Sequence, residues 1–268
     1  VRYWSLLFLA MAVACTGVFV YAALAPGFWL PRSAGTIGRQ VDYLFLIILG
    51  ITGAVFVVTQ LALAYVTWTG ATRPGKTARY FHGSQWLEFV WTLIPAGILI
   101  FLALYQMGTW ADIKDPALMP EGPPSAEITG RQFQWLIRYP GPDGKLGTID
   151  DLHATNDLRM VRGVPTKFLL RSEDVIHSFF LPQIRIKQDA VPGLDIPIWF
   201  DVDRAGRYEI VCTELCGWGH YKMRAVLTVY DTEAELDAYL ASLAASQAAD
   251  HGPSQSVERP EAGGPTAP

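Results

Sequence analysis

The run Cys212-Thr213-Glu214-Leu215-Cys216-Gly217-Trp218-Gly219-His220-Tyr221-Lys222-Met223 places two thiols, an imidazole and a thioether within twelve residues. Soft thiolate and thioether ligands combined with imidazole select copper or zinc over magnesium or calcium. The run opens where the β-rich stretch Arg207 to Cys212 ends and closes where Lys222 to Tyr230 begins, so its ligands sit on a loop framed by two strands. A blue-copper site uses one Cys, two His and a weak Met. The second Cys here lets both sulfurs bridge two metals, which implies a dinuclear centre. His220 and Met223 supply one terminal ligand each and leave at least one position for another segment.

His177, in Ser172-Glu173-Asp174-Val175-Ile176-His177-Ser178, is the best candidate for that position because it follows the predicted strand Thr166 to Ser172. Of the five histidines, His82 lies between two apolar segments and His251 in the tail, while His153 follows an acidic turn. Around the loop, further strands are predicted at Glu127 to Arg138, Asp157 to Met160 and Asp195 to Asp201, separated by turn signals such as Gly141-Pro142-Asp143-Gly144. Many short strands indicate a sandwich or barrel. Between Asp112 and Asp231 there are 17 acidic and 14 basic residues, the composition of a separate globular domain. Asp143 to Asp151 looks like a calcium loop but lacks the regular Asp-x-Asp-x-Asp-Gly spacing, so it reads as an acidic turn.

Upstream the character changes. Trp4 to Ala25, Tyr43 to Trp68 and Phe89 to Met107 carry no charge, and each approaches the ~20 residues that span a bilayer. Arg73, Lys76 and Arg79, with no acid among them, put the loop between the second and third segments on the cytoplasmic side and the β-domain outside. The first segment is either a retained helix or a signal peptide. Cys15 within it reads as a small packed hydrophobe, although Ala12-Val13-Ala14-Cys15 also resembles a lipoprotein cleavage box. Overall 51% of the 268 residues are hydrophobic and 17% charged, with a net charge of −4, which argues against a purely soluble enzyme and against nucleic acid as a partner. Three cysteines are too few for a disulfide-stapled scaffold. Glu233 to Ala248 reads as a helix, and the proline-containing end through Pro268 as a disordered tail.

The pattern Cys-x-Glu-x-Cys-x-x-x-His-x-x-Met with an upstream Ser-Glu-Asp-Val-x-His-Ser resembles the CuA domain of cytochrome c oxidase subunit II. Glu88-Phe89-Val90-Trp91-Thr92-Leu93-Ile94-Pro95 is similar to the family's second helix, and Lys187-Gln188-Asp189-Ala190-Val191-Pro192-Gly193 to its β-domain. The resemblance implies an all-β cupredoxin-like Greek-key sandwich or barrel on an α-helical transmembrane hairpin. The first apolar segment would add a third transmembrane helix if retained. It divides the chain into an N-terminal hydrophobic segment (1–30), the hairpin (31–110), a periplasmic CuA domain (111–232) and a short helix with its tail (233–268).

The same resemblance implies a copper pair held by His177, Cys212, Cys216, His220, Met223 and the carbonyl of Glu214. Electrons would come from a c-type cytochrome and pass to haem in subunit I, where O2 is reduced to water with proton translocation. The Glu214 carboxylate would bind magnesium at the subunit I interface, and Glu88 would stand at the entrance of a proton pathway. A glutamate at the edge of a membrane helix is costly to desolvate and suggests function in its own right. The family's Gly-His-Gln-Trp-x-Trp is matched by Gly130-Arg131-Gln132-Phe133-Gln134-Trp135, so Phe133 stands where many members use a surface Trp for electron arrival. Phe133 and Trp135 are both candidates for that contact. Asp189 and nearby acids could attract a lysine-rich cytochrome, although the small acidic excess makes steering modest.

The implied setting is a bacterial inner (plasma) membrane, with membrane lipid, subunit I and other oxidase subunits as neighbours. No Cys-x-x-Cys-His occurs, so no haem is expected in this chain. The alternatives are a membrane-anchored copper carrier or assembly protein, and a quinol oxidase subunit II without copper. A disulfide between Cys212 and Cys216 or a structural zinc would be the bland reading of the loop.

Overall fold

The computed structural model describes residues 2–25, 27–28, 30–71, 75, 77, 80 and 82–250. Arg73, Lys76 and Arg79, on which the orientation argument rests, lie outside them, as do His251 and the proline-containing tail.

The chain opens with the helices α1 (Arg2–Leu24), α2 (Thr36–Thr69) and α3 (Gln85–Lys114). All three are long and apolar enough to cross a membrane. Exposed apolar side chains along them, such as Val58, Leu99 and Leu104, suit lipid rather than water. Phe19 of α1 lies over Gly53 of α2, and Cys15 lines the same apolar cleft as Gly50 and Gly53. In α3, Ser84 caps the start by accepting the Leu87 N–H at 3.3 Å, and Glu88 occupies the first turn.

Helix α2 begins well before its charge-free window. Its 34 residues extend about 51 Å, more than the ~30 Å hydrocarbon core needs. The surplus at its start is bound to the β-domain. Ala34 and Ile37 are buried in the domain's core. Gly35 at the N-cap offers no side-chain acceptor, and Asp201 supplies one instead: its Oδ1 accepts the Thr36 N–H at 3.1 Å and the Thr36 hydroxyl as well. Arg185 Nε donates to Asp42 Oδ1 at 2.7 Å, and Arg39 pairs with Asp203.

The β-domain has ten strands. The first sheet contains β1 (Ala126–Arg131), β2 (Gln134–Tyr139), β3 (Leu152–Thr155), β5 (Thr166–Ser172) and β8 (Ile196–Phe200), in the order β3-β2-β1-β5-β8. The second contains β4 (Asp157–Val161), β6 (His177–Leu181), β7 (Ile186–Ala190), β9 (Gly206–Cys212) and β10 (Arg224–Tyr230), in the order β4-β10-β9-β6-β7. The chain crosses between sheets several times, and the pairs β1/β5 and β4/β10 are parallel, giving the Greek-key connectivity of a cupredoxin-like sandwich. The core closes between the sheets: Trp135 meets Phe179 edge-on at 5.4 Å, and Phe168 stacks on Phe200 at 5.0 Å.

One predicted strand is corrected. Glu127 to Arg138 is not a single strand but the hairpin β1/β2, turned at Gln132-Phe133 and paired from Arg131 with Gln134 to Glu127 with Arg138. A straight strand would carry Phe133 and Trp135 on one face. The turn instead sends Trp135 into the core and leaves Phe133 on the rim, with Asp174 Oδ2 accepting the Gln132 N–H at 2.8 Å. The strands β3, β6 and β7 were not anticipated from composition. After β10 the helix α4 (Glu233–Asp250) is opened by a reciprocal cap, in which Glu235 Oε2 accepts the Thr232 N–H at 3.0 Å. Its residues Tyr239, Leu240 and Leu243 pack against the domain core.

Candidate metal centre

The strands β6, β9 and β10 bring the ligand candidates to one end of the second sheet. His177 is the first residue of β6 and Cys212 the last of β9, where it pairs with Phe179. Met223 immediately precedes β10, and its carbonyl accepts the Cys212 N–H at 3.1 Å, closing the base of the loop. The Thr213 N–H donates to Ser178 O at 3.0 Å, which ties the same loop to β6. A loop anchored at both roots by sheet hydrogen bonds holds its donors in place before any ion arrives.

The donors converge. Cys212 Sγ and Cys216 Sγ are 3.9 Å apart, far beyond the ~2.05 Å of a disulfide, and both are free thiols. His177 Nδ1 lies 4.0 Å from Cys212 Sγ, and His220 Nδ1 3.5 Å from Cys216 Sγ. Met223 Sδ is 3.8 Å from Cys216 Sγ, and the Glu214 carbonyl oxygen 3.3 Å from Cys212 Sγ. The donor atoms of His177, Cys212 and Cys216 all fall within 4.8 Å of one another, in a buried cluster. All six ligand candidates drawn from the sequence therefore meet at one place. Two thiolates, two imidazoles, a thioether and a carbonyl suit copper, whereas a thioether suits zinc poorly.

The electrostatics of the pair point the same way. Burial raises the Cys212 thiol, but hydrogen bonding with His177 and with backbone at Ser178 and Glu214 outweighs it and brings the group down to about 6. Cys216 is pushed up to about 12 by burial and by the neighbouring Cys212 charge. Two thiolates this close repel, so both are deprotonated together only when a cation lies between them.

Around the ligands stand residues that composition did not single out. Asp174 Oδ1 is 2.8 Å from His177 Nε2, which orients the ring so that Nδ1 faces the sulfurs. Burial works against the charge of Asp174, yet N–H donors from Gln132 and Val175 and the His177 ring hold its carboxyl below the ordinary value. Burial likewise opposes the charge of His177, but Cys212 and Asp174 raise it above the ordinary histidine value. Gln132 Nε2 donates to the Cys216 carbonyl at 2.5 Å. Gly130 passes so close to the ring that a Cβ there would stand 2.7 Å from His177 Cδ2. The available signal for Asp174 was its position three residues before a candidate ligand.

The other candidates lie elsewhere. Glu88 is exposed in the first turn of α3, where the helix dipole favours a carboxylate. Trp135 is fully buried, 6.0 Å from the His177 ring, and Phe133 is half-buried against the metal loop. The Glu214 carbonyl points to Cys212 while the residue itself is exposed. His153 lies exposed on β3 opposite Arg138. Asp189 accepts from the Ser178 hydroxyl at 2.7 Å and lies 3.6 Å from Lys187, so its charge is already engaged. Thr148 Oγ1 bonds both Asp150 and Asp151 in the acidic turn.

Fold and site together define a membrane-anchored cupredoxin-like protein with a buried Cys/His/Met cluster suited to copper at the end of its β-sandwich. The family model for the periplasmic domain of cytochrome c oxidase subunit II matches residues 129–229, and that for its transmembrane domain residues 23–108. An alternative cytochrome c oxidase subunit 2 of Bradyrhizobium diazoefficiens is 32% identical over 259 residues, covering 88% of this chain and 90% of its own. A cytochrome c oxidase subunit 2 of Cereibacter sphaeroides is 28% identical over 233 residues, covering 75% and 76%. The crystal structure of the periplasmic domain of subunit II from Bradyrhizobium japonicum is 24% identical, covers 48% of this chain and 98% of its own, and superposes with a TM-score of 0.42. The chain belongs to the cytochrome c oxidase subunit II family. It is a membrane protein with a periplasmic domain and a subunit of an oxidoreductase complex.

Proposed function

We propose that the chain is the electron-accepting subunit of a bacterial haem-copper oxidase and holds two copper ions bridged by Cys212 and Cys216. His177 and His220 would bind through Nδ1, with Met223 and the Glu214 carbonyl completing the set. The observation that carries this reading is the 3.9 Å separation of the two sulfurs with four further donors arriving around them. A single copper would leave part of that donor set without a partner.

When bound, copper held by these residues would supply one-electron redox chemistry between a c-type cytochrome and haem in subunit I. The chain's part is to keep the donors still while that happens. Asp174 fixes the His177 ring, Gln132 ties down the Cys216 carbonyl, and the loop is rooted in β9 and β10. Trp135 serves as packing beneath His177. Phe133, on the rim, is the better placed of the two aromatic candidates for contact with a donor.

The exposed carboxylate of Glu214, on the residue whose carbonyl faces the site, supports a second role as a magnesium ligand at a contact with subunit I. Glu88, at the head of an apolar helix, supports a role at the entrance of a proton pathway into subunit I. The assignment of 1–30, 31–110, 111–232 and 233–268 as N-terminal hydrophobic segment (transmembrane helix or signal), transmembrane hairpin, periplasmic domain, and short helix with its tail belongs to the same proposal. So does a multi-pass placement in the inner membrane.

Copper content and electron paramagnetic resonance of the purified chain test the reading, with Cys216→Ser alongside. Two coppers per chain sharing one unpaired electron, with the signal lost in the variant, is the expected result. One copper with a mononuclear signal indifferent to Cys216 would overturn it.

A further inference from the structure

The metal loop presents its least polar side chains to solvent. Leu215, Trp218 and Tyr221 are 78%, 81% and 68% exposed, and Val175 and Ile176 are exposed on the adjoining turn that carries Asp174. Among the described residues of the β-domain, Trp218 and Tyr221 are the two strongly exposed aromatic side chains. An apolar cluster on one end of a soluble domain marks a contact surface, and a tryptophan is the side chain that contributes most at such surfaces.

Trp218 is also wired to the site. Its ring meets Phe133 edge-on at 5.2 Å. Phe133 in turn lies against the loop backbone: a Cβ at Gly219 would come 2.4 Å from Phe133 Cδ2, and one at Gly217 3.1 Å from Cε1. The glycines on both sides of Trp218 thus let Phe133 seat beneath it. Along the chain Trp218 is two residues from Cys216 and two from His220, so a short covalent route leads from its ring to each of two candidate ligands.

We propose that Trp218 is the residue through which electrons from a haem-bearing donor reach the metal loop, and that its apolar surroundings form the donor's contact surface. This rests on the reading of the site as a copper electron acceptor. In the step one electron leaves the donor's ferrous haem iron, which becomes ferric, and the copper pair is reduced by one electron. No bond is made or broken and no proton moves. Charges near the patch are few and largely balanced: Lys222 Nζ sits 5.8 Å from the Trp218 ring and 5.4 Å from that of Tyr221, Glu214 is the exposed acid of the loop, and Arg131 lies 3.7 Å from Glu173. Association with the donor is therefore driven by apolar contact, with a shallow dependence on ionic strength.

The test is made in the intact oxidase complex, with a ferrous c-type cytochrome as the donor and Trp218→Ala and Trp218→Phe as variants. The expected result is at least a tenfold fall in kcat/KM for Trp218→Ala, partial recovery in Trp218→Phe, and an unchanged copper resonance signal in both. The unsubstituted complex should lose little of its rate constant between low and moderate salt. A kcat/KM within twofold of the unsubstituted complex would overturn the proposal. So would loss of the copper signal, which would make Trp218 a structural part of the loop, or failure of subunit I to co-purify, which would make the patch its interface. A missing dinuclear signal in the unsubstituted complex would instead sink the copper reading itself.

Discussion

Asp174 Oδ1 stands 2.8 Å from His177 Nε2, and the other nitrogen of that ring faces Cys212 Sγ. One carboxylate therefore decides which histidine nitrogen is free for a metal. Replacing it by Asn keeps the shape but removes the charge that orients the ring. Outer-shell partners of this kind are worth ~10-fold to 100-fold in metal affinity. Asp174→Asn is expected to lower copper affinity by that order, measured by competition with a chelator of known affinity. An unchanged affinity would show that packing alone orients His177.

The same pair sets a pH dependence in the copper-free chain. His177 is raised, so its contribution to stability is full below about 6.5 and is lost as pH climbs through its folded value. Asp174 is lowered, so its contribution is full above about 3.9 and is lost as pH falls through its folded value. Between those limits both contributions are present. Thermal melts of copper-free chain across this range should show that Asp174→Asn costs most stability near pH 5 and less at pH 8. A uniform loss at all pH values would contradict the assignment.

Gly130 touches the His177 ring where a methyl group has no room. Gly130→Ala must push either the ring or β1 aside, and overpacking of this sort costs ~1–3 kcal/mol. The expected outcome is a lower melting temperature together with a shifted copper resonance spectrum, because the ring is a ligand. A melt unchanged within error would mean that β1 gives way freely.

Asp201 caps α2 from across the fold, since Gly35 cannot. Loss of such a cap costs ~1 kcal/mol. Asp201→Ala should raise proteolytic cleavage around residues 31–36 while leaving copper content intact, because the cap sits at the end of the strands opposite the metal loop. Asp201→Asn should retain part of the protection. Equal cleavage in all three proteins would show that the buried Ala34 and Ile37 hold the segment without the cap.

Most of the site could be read from the sequence because its donors are crowded into residues 212–223 and soft donors in that density have few other uses. The strands flanking the loop were legible too, since β9 and β10 are bounded by turn residues. The hairpin β1/β2 was not. Its arms bury opposite parities, Ile128 and Gly130 in β1 but Trp135 and Ile137 in β2, yet residues 131–134 carry no Gly, Pro, Asn or Asp to mark the turn between them. Strand β6 is buried at four of its five positions and shows no alternation, so composition does not distinguish it from a short buried helix segment. Gln132 and Gly130 act through tertiary contacts that local patterning does not encode, and Asp174, only three residues from His177, is fixed in place by the Gln132 N–H from the β1/β2 turn. The start of α2 was hidden for a related reason: its first turns are held by Asp201 and Asp203, which lie far along the chain.

The thiol pair carries one more measurable consequence. Against the effect of burial, hydrogen bonding with His177 lowers the Cys212 thiol, while burial and the Cys212 charge raise that of Cys216, so in the copper-free site the two thiols lose their protons in separate steps. The two titrate as a pair, the first proton leaving readily and the second only against the charge of the first. A metal bridging both sulfurs must displace that second proton, so copper uptake at pH 7 is expected to acidify weakly buffered solution. Cys216→Ser should release about one proton fewer per chain, because ligands bind metal deprotonated and a serine hydroxyl keeps its proton. His177→Ala should move the lower thiol titration upward, since hydrogen bonding with His177 is a main cause of its low value. Equal proton release from the unsubstituted chain and Cys216→Ser would mean that the second sulfur stays protonated and does not bridge.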